Sequence, residues 1–464
     1  MEKRVHKLTS YLPVIEKIAQ LFREGYIVGG FVRDRLLRRA GGDRIDIDVA
    51  LPRLDRKKIE ELKREIGASL FSIKRQKEVF SLVKEGLRID ITEISGETIE
   101  EDLLKRDLTI NSLAVDLREI LSPFNDDVVI IDPSGGYEDL ERGIIRPTSR
   151  TSFEEDPLRI VRGIRLKCAL DFRYSPEFLE LAKRSYPKLG EVKRERIKEE
   201  LLKALSQNFY CFLKNAYELG VLFKLFPELR DFEKVPPGGL HQYSLIEHTL
   251  RSVRELEERV FRLPEFRDLN EKLLKLAALF HDVAKPKTMD FKGNKPTFYG
   301  HDKEGAPLAK EALERLGFKR EWGRALFYIV KNHLRPFFLF NLEKEGKLTS
   351  RAIYRFFRDS KNYAKEILAL SIADRAATSE ELARNISEYI SFVRKLLSFY
   401  EENLKDLKPL LTGEEIISIK GAERGGKWVE RIKDKLLESQ VCGRIKSKEE
   451  AVRFVKGFTV EEES

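Results

Sequence analysis

Three cysteines in 464 residues, Cys168, Cys211 and Cys442, lie far apart in the chain. Their spacing fits neither a zinc-ligand pattern nor a disulfide framework, so a secreted, cross-linked scaffold is excluded and a reducing, cytoplasmic setting is expected. No apolar run reaches the ~20 residues that a membrane-spanning helix needs. No secretory leader pattern is present, and no membrane partner is expected. Glutamine is scarce and there are only 2 methionines against abundant Lys, Arg and Glu, a composition that leans towards a thermophile. The chain has neither an internal repeat nor a low-complexity segment.

What is present is charge and length. Lys and Arg number 87 against 78 Asp and Glu, giving a net charge of +9 and a pI near 9.1. That excess suits a polyanionic partner, although a generally charged surface would give the same figure. The length exceeds what one ordinary core supports, so two to four domains are expected.

Periodicity gives an α+β organisation. Residues 1–25 read as an amphipathic helix, and strands are expected near 26–28, 45–50, 68–73, 78–84 and 87–92. Two more are expected at 112–117 and 128–131, completing a small mixed α/β head at 1–145. From about Arg150 the pattern turns helical almost to the end. Pro-Pro-Gly-Gly at 236–239 reads as the clearest linker. The expected parts are a head (1–145), a helical neck (146–235), a further helical domain (236–380) and a charged helical tail (381–464).

The chemistry concentrates first in Tyr26-Ile-Val-Gly29-Gly30-Phe-Val-Arg33-Asp34 and Asp46-Ile-Asp48. Alternate strand residues share a face, so Asp46 and Asp48 can converge on one cation. Gly29-Gly30 lets backbone approach a phosphate, with Arg33 one helical turn beyond. Paired carboxylates on Mg2+ are what nucleotidyl transfer needs to clamp the attacking 3′-oxygen and the leaving pyrophosphate. Asp90 offers a third carboxylate from a neighbouring strand, or is simply an exposed strand residue. Arg106, Asp107 and Asn111 fall within about one helical turn and suit a ribose and triphosphate. Asp107 alternatively opens a helix and pairs with Arg106. Asp156-Pro-Leu-Arg159 follows, with Arg159, Arg162 and Arg165 on one side of a helix. Asp156 before Pro157 would also serve as an N-cap. Lys193, Arg194, Arg196 and Lys198 add a basic patch for RNA phosphates.

A second ligand set lies further on. Five of the 6 histidines fall between 241 and 333. His281-Asp282 follows an apolar helix, with His248 upstream and Asp374 downstream, which suits a divalent metal. His301 and His333 are available for a second metal or a phosphate.

Taken in order, these motifs resemble the class II tRNA nucleotidyltransferases (CCA-adding enzymes) and bacterial poly(A) polymerases. The resemblance spans nearly the whole chain and implies a polymerase-beta-like nucleotidyltransferase head. It implies catalysis by Asp46 and Asp48, ribose selection by Arg106, Asp107 and Asn111, and base reading by Asp156 and Arg159. Lys105 stands where an arginine is common. Asp132-Pro-Ser-Gly135-Gly136 is similar to the family's hinge-like turn. His248, His281, Asp282 and Asp374 look like HD-domain ligands, and Gly425-Gly426-Lys427 lies in a tail similar to the part that contacts the tRNA body. One departure bears on specificity. Asp90-Ile-Thr-Glu-Ile-Ser-Gly96 leads straight into Glu97-Thr-Ile-Glu-Glu-Asp102, leaving almost no room for the flexible loop of full CCA-adding enzymes. In the family its absence goes with adding only CC. The expected reaction is therefore CC addition to tRNA from CTP, with a separate A-adding enzyme downstream. Full CCA addition using ATP as well, a poly(A) polymerase, and an HD phosphohydrolase are the alternatives.

Overall fold

The computed structural model describes residues 4–6, 13–39, 45–74, 78–121, 127–238, 242–293 and 295–458. The chain forms two compact units, Met1–Lys203 with Asn215–Leu225, and Ala204–Lys214 with Phe226–Ser464.

The first unit opens with β1 (Arg4–His6) and α1 (Pro13–Leu21), then β2 (Tyr26–Val28), α2 (Gly30–Leu36), β3 (Ile45–Leu51) and α3 (Arg56–Ile66). Next come β4 (Ser69–Lys74), β5 (Glu78–Lys84), β6 (Leu87–Glu93), α4 (Ile99–Leu104), β7 (Ala114–Asp116), α5 (Leu117–Leu121), β8 (Asp127–Val129), α6 (Gly136–Arg142) and β9 (Ile144–Ile145). The unit continues through α7 (Ser152–Glu155), α8 (Leu158–Leu170), β10 (Arg173–Tyr174), α9 (Pro176–Ser185) and α10 (Arg194–Leu205). Six strands form one sheet in the order β4-β5-β6-β3-β2-β7. Its β3–β6 pair is parallel, while its other pairs are antiparallel.

Strand alternation sorts this sheet into two faces. Ile47, Val49 and Leu51 of β3 join Ile89 and Ile91 of β6 in a core closed by Ile15, Ile18, Ile59 and Leu62 from α1 and α3. The opposite face carries Val28, Ala50 and Ala114 under Ile99 and Leu103 of α4. Asp46, Asp48 and Asp90 belong to that second face by their parity. Asp55 caps α3 by accepting from Lys57 and Lys58 N–H, and Gly67 ends it in the left-handed region.

Several expectations need correction. The single helix over 1–25 is instead β1 followed by α1, because β1 pairs antiparallel with β8 and backbone pairing outweighs the helical pattern there. The strand expected over 112–117 shortens to β7, since Asn111 and Ser112 end a 3-10 turn. The strand expected over 128–131 becomes β8 at 127–129, with Ile131 bridging Ala114. The region beyond Arg150 is not purely helical: β10 pairs with β9, and β11 (Asp290–Lys292) and β12 (Lys295–Thr297) form a hairpin. Cys168 and Cys211 are disulfide-bonded, while Cys442 is free. Sequence spacing cannot see pairing made by tertiary folding, so cysteine usage does not argue for a reducing compartment. Intracellular proteins of hyperthermophiles do carry such bonds. Of the expected linker at 236–239, residues 236–238 are described and only Gly239 lies outside the described set.

Among the described residues the second unit is helical apart from that hairpin. Helices Leu245–Glu258, Glu271–Phe280, Arg320–Asn332 and Ala364–Thr378 supply its buried interior. The last helices, Gly413–Ile419, Lys427–Val441 and Lys448–Gly457, enclose a core of their own around Ile416, Ile432 and Val455. Capping boxes at Thr412/Glu415 and Ser447/Glu450 start two of them. Among the described residues no helix is long and apolar enough to cross a membrane.

Candidate active site and metal centre

The parallel register of β3 and β6 sets Asp48 directly beside Asp90, and Asp46 beside Arg88. All three carboxylates therefore share one sheet face. Asp90 Oδ1 accepts from Ser81 Oγ at 2.6 Å and from Arg88 Nε at 2.7 Å. Burial pushes the Asp48 carboxyl up; Arg106 pulls it down, and Asp90 and Asp46 push it up again. Crowded carboxylates of this kind fit a divalent cation, whose charge relieves their mutual repulsion.

Gly29 makes the approach to Asp48 possible. Its φ is 77°, in the left-handed region, and a Cβ there would sit 3.1 Å from Asp48 Oδ2 and 3.3 Å from the Arg106 guanidinium. From this turn α2 carries Arg33 inward. The Arg33 guanidinium, buried, donates to Asn111 Oδ1 at 2.5 Å and to Asp34 Oδ1 at 2.8 Å.

A polar chain continues from there. Asn111 Nδ2 donates to Asp107 Oδ1 at 3.2 Å, and Arg162 donates to Asp107 Oδ2 at 2.8 Å. Burial would raise Asp107, but Arg162, Asn111 and the Leu108 N–H hold its pKa down at about 2. Arg162 Nε and Arg165 Nε then converge on Glu200 at 3.2 and 2.9 Å. Glu200 is 3% exposed, and despite burial these arginines keep it ionised with a pKa of about 2. Gly136 brings α6 against this region: a Cβ there would lie 2.0 Å from Thr109 O. Asp132 accepts from Gly136 and Tyr137 N–H to cap that helix.

The second unit gathers another set. His248 Nε2 lies 3.3 Å from His281 Nε2, 3.5 Å from Asp282 Oδ2 and 3.1 Å from Asp374 Oδ1. His281 Nε2 is 3.1 Å from Asp282 Oδ2. Across the same carboxylate, His301 and His333 Nε2 stand 3.3 and 3.8 Å from Asp282 Oδ1. The Nδ1 atoms of His281, His301 and His333 each meet a carbonyl three residues earlier, Ala278, Phe298 and Val330. A carbonyl only accepts, so Nδ1 carries the hydrogen and Nε2 faces the centre, as a metal ligand requires. Two groups, His248–His281–Asp282 and Asp282–His301–His333, bring their ligand atoms within 4.8 Å of one another. The donor set fits one or two divalent ions sharing Asp282. Burial would lower His281, yet Asp282 and Asp374 raise it to about 10. Burial, aided by His301 and His281, takes His333 down to about 3.

Residues 25–146 match the poly(A) polymerase head domain and residues 245–379 match the HD domain. A CC-adding tRNA nucleotidyltransferase of Thermus thermophilus is 34% identical over 445 residues, covering 93% of each chain. The chain belongs to the tRNA nucleotidyltransferase family. An A-adding tRNA nucleotidyltransferase of Deinococcus radiodurans is 28% identical over 94% of this enzyme and 95% of that one. A CCA-adding enzyme of Thermotoga maritima complexed with tRNA superposes with a TM-score of 0.60 at 25% identity, covering 98% and 99% of the chains. The enzyme is thus a nucleotidyltransferase of a divalent-metal-dependent family, with a polymerase-beta-like mixed-sheet head and a mostly helical body.

The residues singled out in the sequence do not all meet as expected. Arg106 leaves Asp107 and Asn111 for Asp102, donating from Nε and a terminal nitrogen at 3.1 and 3.0 Å. Asp107 pairs with Arg162, not Arg106, whose guanidinium is taken by Asp102 one helical turn back. Arg159, Arg162 and Arg165 split: Arg159 donates to Lys105 O at 2.8 Å and to Ser152, whereas the other two reach Glu200. Asp156 caps only in part, with Oδ1 accepting from Leu158 N–H at 3.3 Å. Its other oxygen accepts from Arg196 at 2.5 Å, which draws Arg196 out of the expected phosphate patch. Arg194 pairs with Glu195 at 2.9 Å, while Lys193 is exposed and Lys198 half-buried. Gly425, Gly426 and Lys427 are exposed at the start of their helix. Glu200 and Asp102 escaped the sequence reading, although Glu200 stands three residues after Ile197 and four before Ala204, on an apolar stripe.

Proposed function

We propose that this nucleotidyltransferase adds two C residues from CTP to tRNA lacking its CCA end and leaves the final A to a separate enzyme. One observation carries the CC-only reading. Between β6 and α4 only Ile94–Thr98 intervene. Asp102 Oδ1 accepts from Ser95 N–H at 2.7 Å, Lys105 Nζ donates to Ser95 O at 2.7 Å, and Glu101 accepts from Glu97 N–H at 3.0 Å. A connection this short and this bonded leaves no loop to reshape the pocket from C to A. The Thermus relative with the same name for its activity supports the same choice.

In this reading Asp46 and Asp48, with Asp90, hold Mg2+. Bound there, the ion supplies Lewis-acid stabilisation of charge on the phosphates. Gly29, Gly30 and Arg33 face the triphosphate, and Arg106, Asp107 and Asn111 face the ribose. Asp156 accepts from the cytosine amine and Arg159 donates to the ring acceptors. Lys193, Arg194, Lys198 and the Gly425-Gly426-Lys427 turn contact tRNA. His248, His281, Asp282 and Asp374 hold a second divalent metal, with His301 and His333 beside them. The head, neck, HD-type and tail parts end near residues 145, 235, 380 and 464, and the reaction is placed in the cytoplasm.

The test is incubation with tRNA ending at the discriminator base, Mg2+, and CTP and ATP singly and together, resolved at single-nucleotide length. Two additions from CTP with none from ATP are expected. Three additions would make it a full CCA-adding enzyme, and a long A ladder a poly(A) polymerase.

A further inference from the structure

Asp156 is held from two directions, and the second hold comes from a helix forty residues away. Its backbone is extended, with φ −147° and ψ 95°, as expected before a proline. Oδ1 is fixed by the Leu158 N–H and Oδ2 by Arg196 of α10. One helical turn further along α10, Glu200 receives Arg162 and Arg165. Thus α10 offers a cation and an anion four residues apart. The segment Asp156–Arg165 offers the complementary anion and cations. Arg159 takes no part in this: its guanidinium is anchored to Lys105 O and to Ser152.

We infer that Arg196 is a positioning residue for nucleotide selection, fixing the Asp156 carboxylate in the orientation that reads the base. The inference rests on the proposed role of Asp156. A carboxylate accepts only, so a fixed one favours an exocyclic amine and opposes a carbonyl at the same place. Each Asp156 oxygen keeps a second acceptor direction for that amine. Because Arg159 is anchored elsewhere, loss of Arg196 loosens one base reader and leaves the other in place. The consequence is selective: discrimination between amine-bearing and carbonyl-bearing bases falls, while phosphate and RNA contacts stay as they are. A phosphate-gripping Arg196 would do the reverse.

The experiment compares full-length wild type, Arg196→Ala and Arg196→Lys with CTP and with UTP, and measures KM for tRNA at two salt concentrations. Expected for Arg196→Ala is a rise in KM for CTP and a fall in CTP-over-UTP preference, each about tenfold. The same variant should keep kcat within about threefold and KM for tRNA unchanged, and Arg196→Lys should recover part of the preference. A raised, salt-dependent KM for tRNA with the CTP-over-UTP ratio intact would overturn the assignment, as would an equal loss with both nucleotides. If wild type incorporates A but no C, the proposed function fails on its own. The Arg196 assignment is then read from ATP over ITP, which differ by the same amine-for-carbonyl exchange.

Discussion

In the first unit the candidate carboxylates remain partly accessible: Asp46 is exposed, and Asp48 and Asp90 are half-buried. In the second unit His248, His281, Asp282, His333 and Asp374 are all buried, His281 completely. The two centres also differ in how their ligands are fixed. Strand register alone lines up Asp46, Asp48 and Asp90, whereas His281, His301 and His333 are each pinned through Nδ1 by a backbone carbonyl. An open row of carboxylates suits a cation that arrives and leaves with a nucleotide. A sealed cage of imidazoles and carboxylates suits an ion held as part of the fold. Accessibility thus separates the two ligand sets, one suited to turnover and the other to retention.

The contrast is broken or sharpened most strongly by Asp48→Asn. If Asp48 holds the proposed Mg2+, its loss removes several kcal/mol of transition-state stabilisation, so C addition should fall roughly 10³-fold. Circular dichroism and thermal unfolding should hardly change. His281→Ala should do the opposite, lowering bound metal while leaving C addition within about twofold; a collapse of C addition there would end the separation. Gly29→Ala comes next. Its left-handed φ and the 3.1 Å approach to Asp48 should cost ~1–2 kcal/mol of stability, read by chemical denaturation. C addition should fall about 10²-fold as the phosphate-facing turn shifts.

Chelation tests the retention side. Removing a tightly held divalent ion should lower the melting temperature of the second unit by roughly 5–10 °C. Elemental analysis before and after should show the loss. Acid gives the smallest effect. Asp107 has a folded pKa of about 2, below its ordinary 3.8, so its stabilising contribution is complete above the unfolded value. That contribution, about 2 kcal/mol, is lost as pH falls from about 4 towards 2. Asp107→Asn should be less stable at pH 7, and its difference from wild type should shrink across that window in denaturant titrations.

How much of each centre was legible differs for physical reasons. Gly29-Gly30 and Asp46-x-Asp48 declare themselves because a left-handed turn demands glycine and strand parity puts both acids on one face. The His-Asp set declares itself because histidines are few and cluster in one stretch. Asp90 was ambiguous: whether it meets Asp48 depends on β6 lying parallel to β3 in one register, which spans forty residues of intervening chain. Glu200 stays hidden in the sequence because Lys-Glu-Glu in a basic helix reads as solvated surface; only the approach of Arg162 and Arg165 buries it. Arg196 reads as part of a phosphate patch for the same reason. The disulfide bonding of Cys168 and Cys211 had no local signature at all.

By itself, then, the sequence determined the local requirements: where glycine must turn the chain, which strands alternate, where acids and imidazoles are dense, and that the connection after β6 is short. These follow from short-range sterics and periodicity, which each segment carries alone. Only the tertiary structure decided which charges face each other. Asp107 chose Arg162 and Asp156 took Arg196, because ion pairing across elements far apart in the chain is set by distance and desolvation.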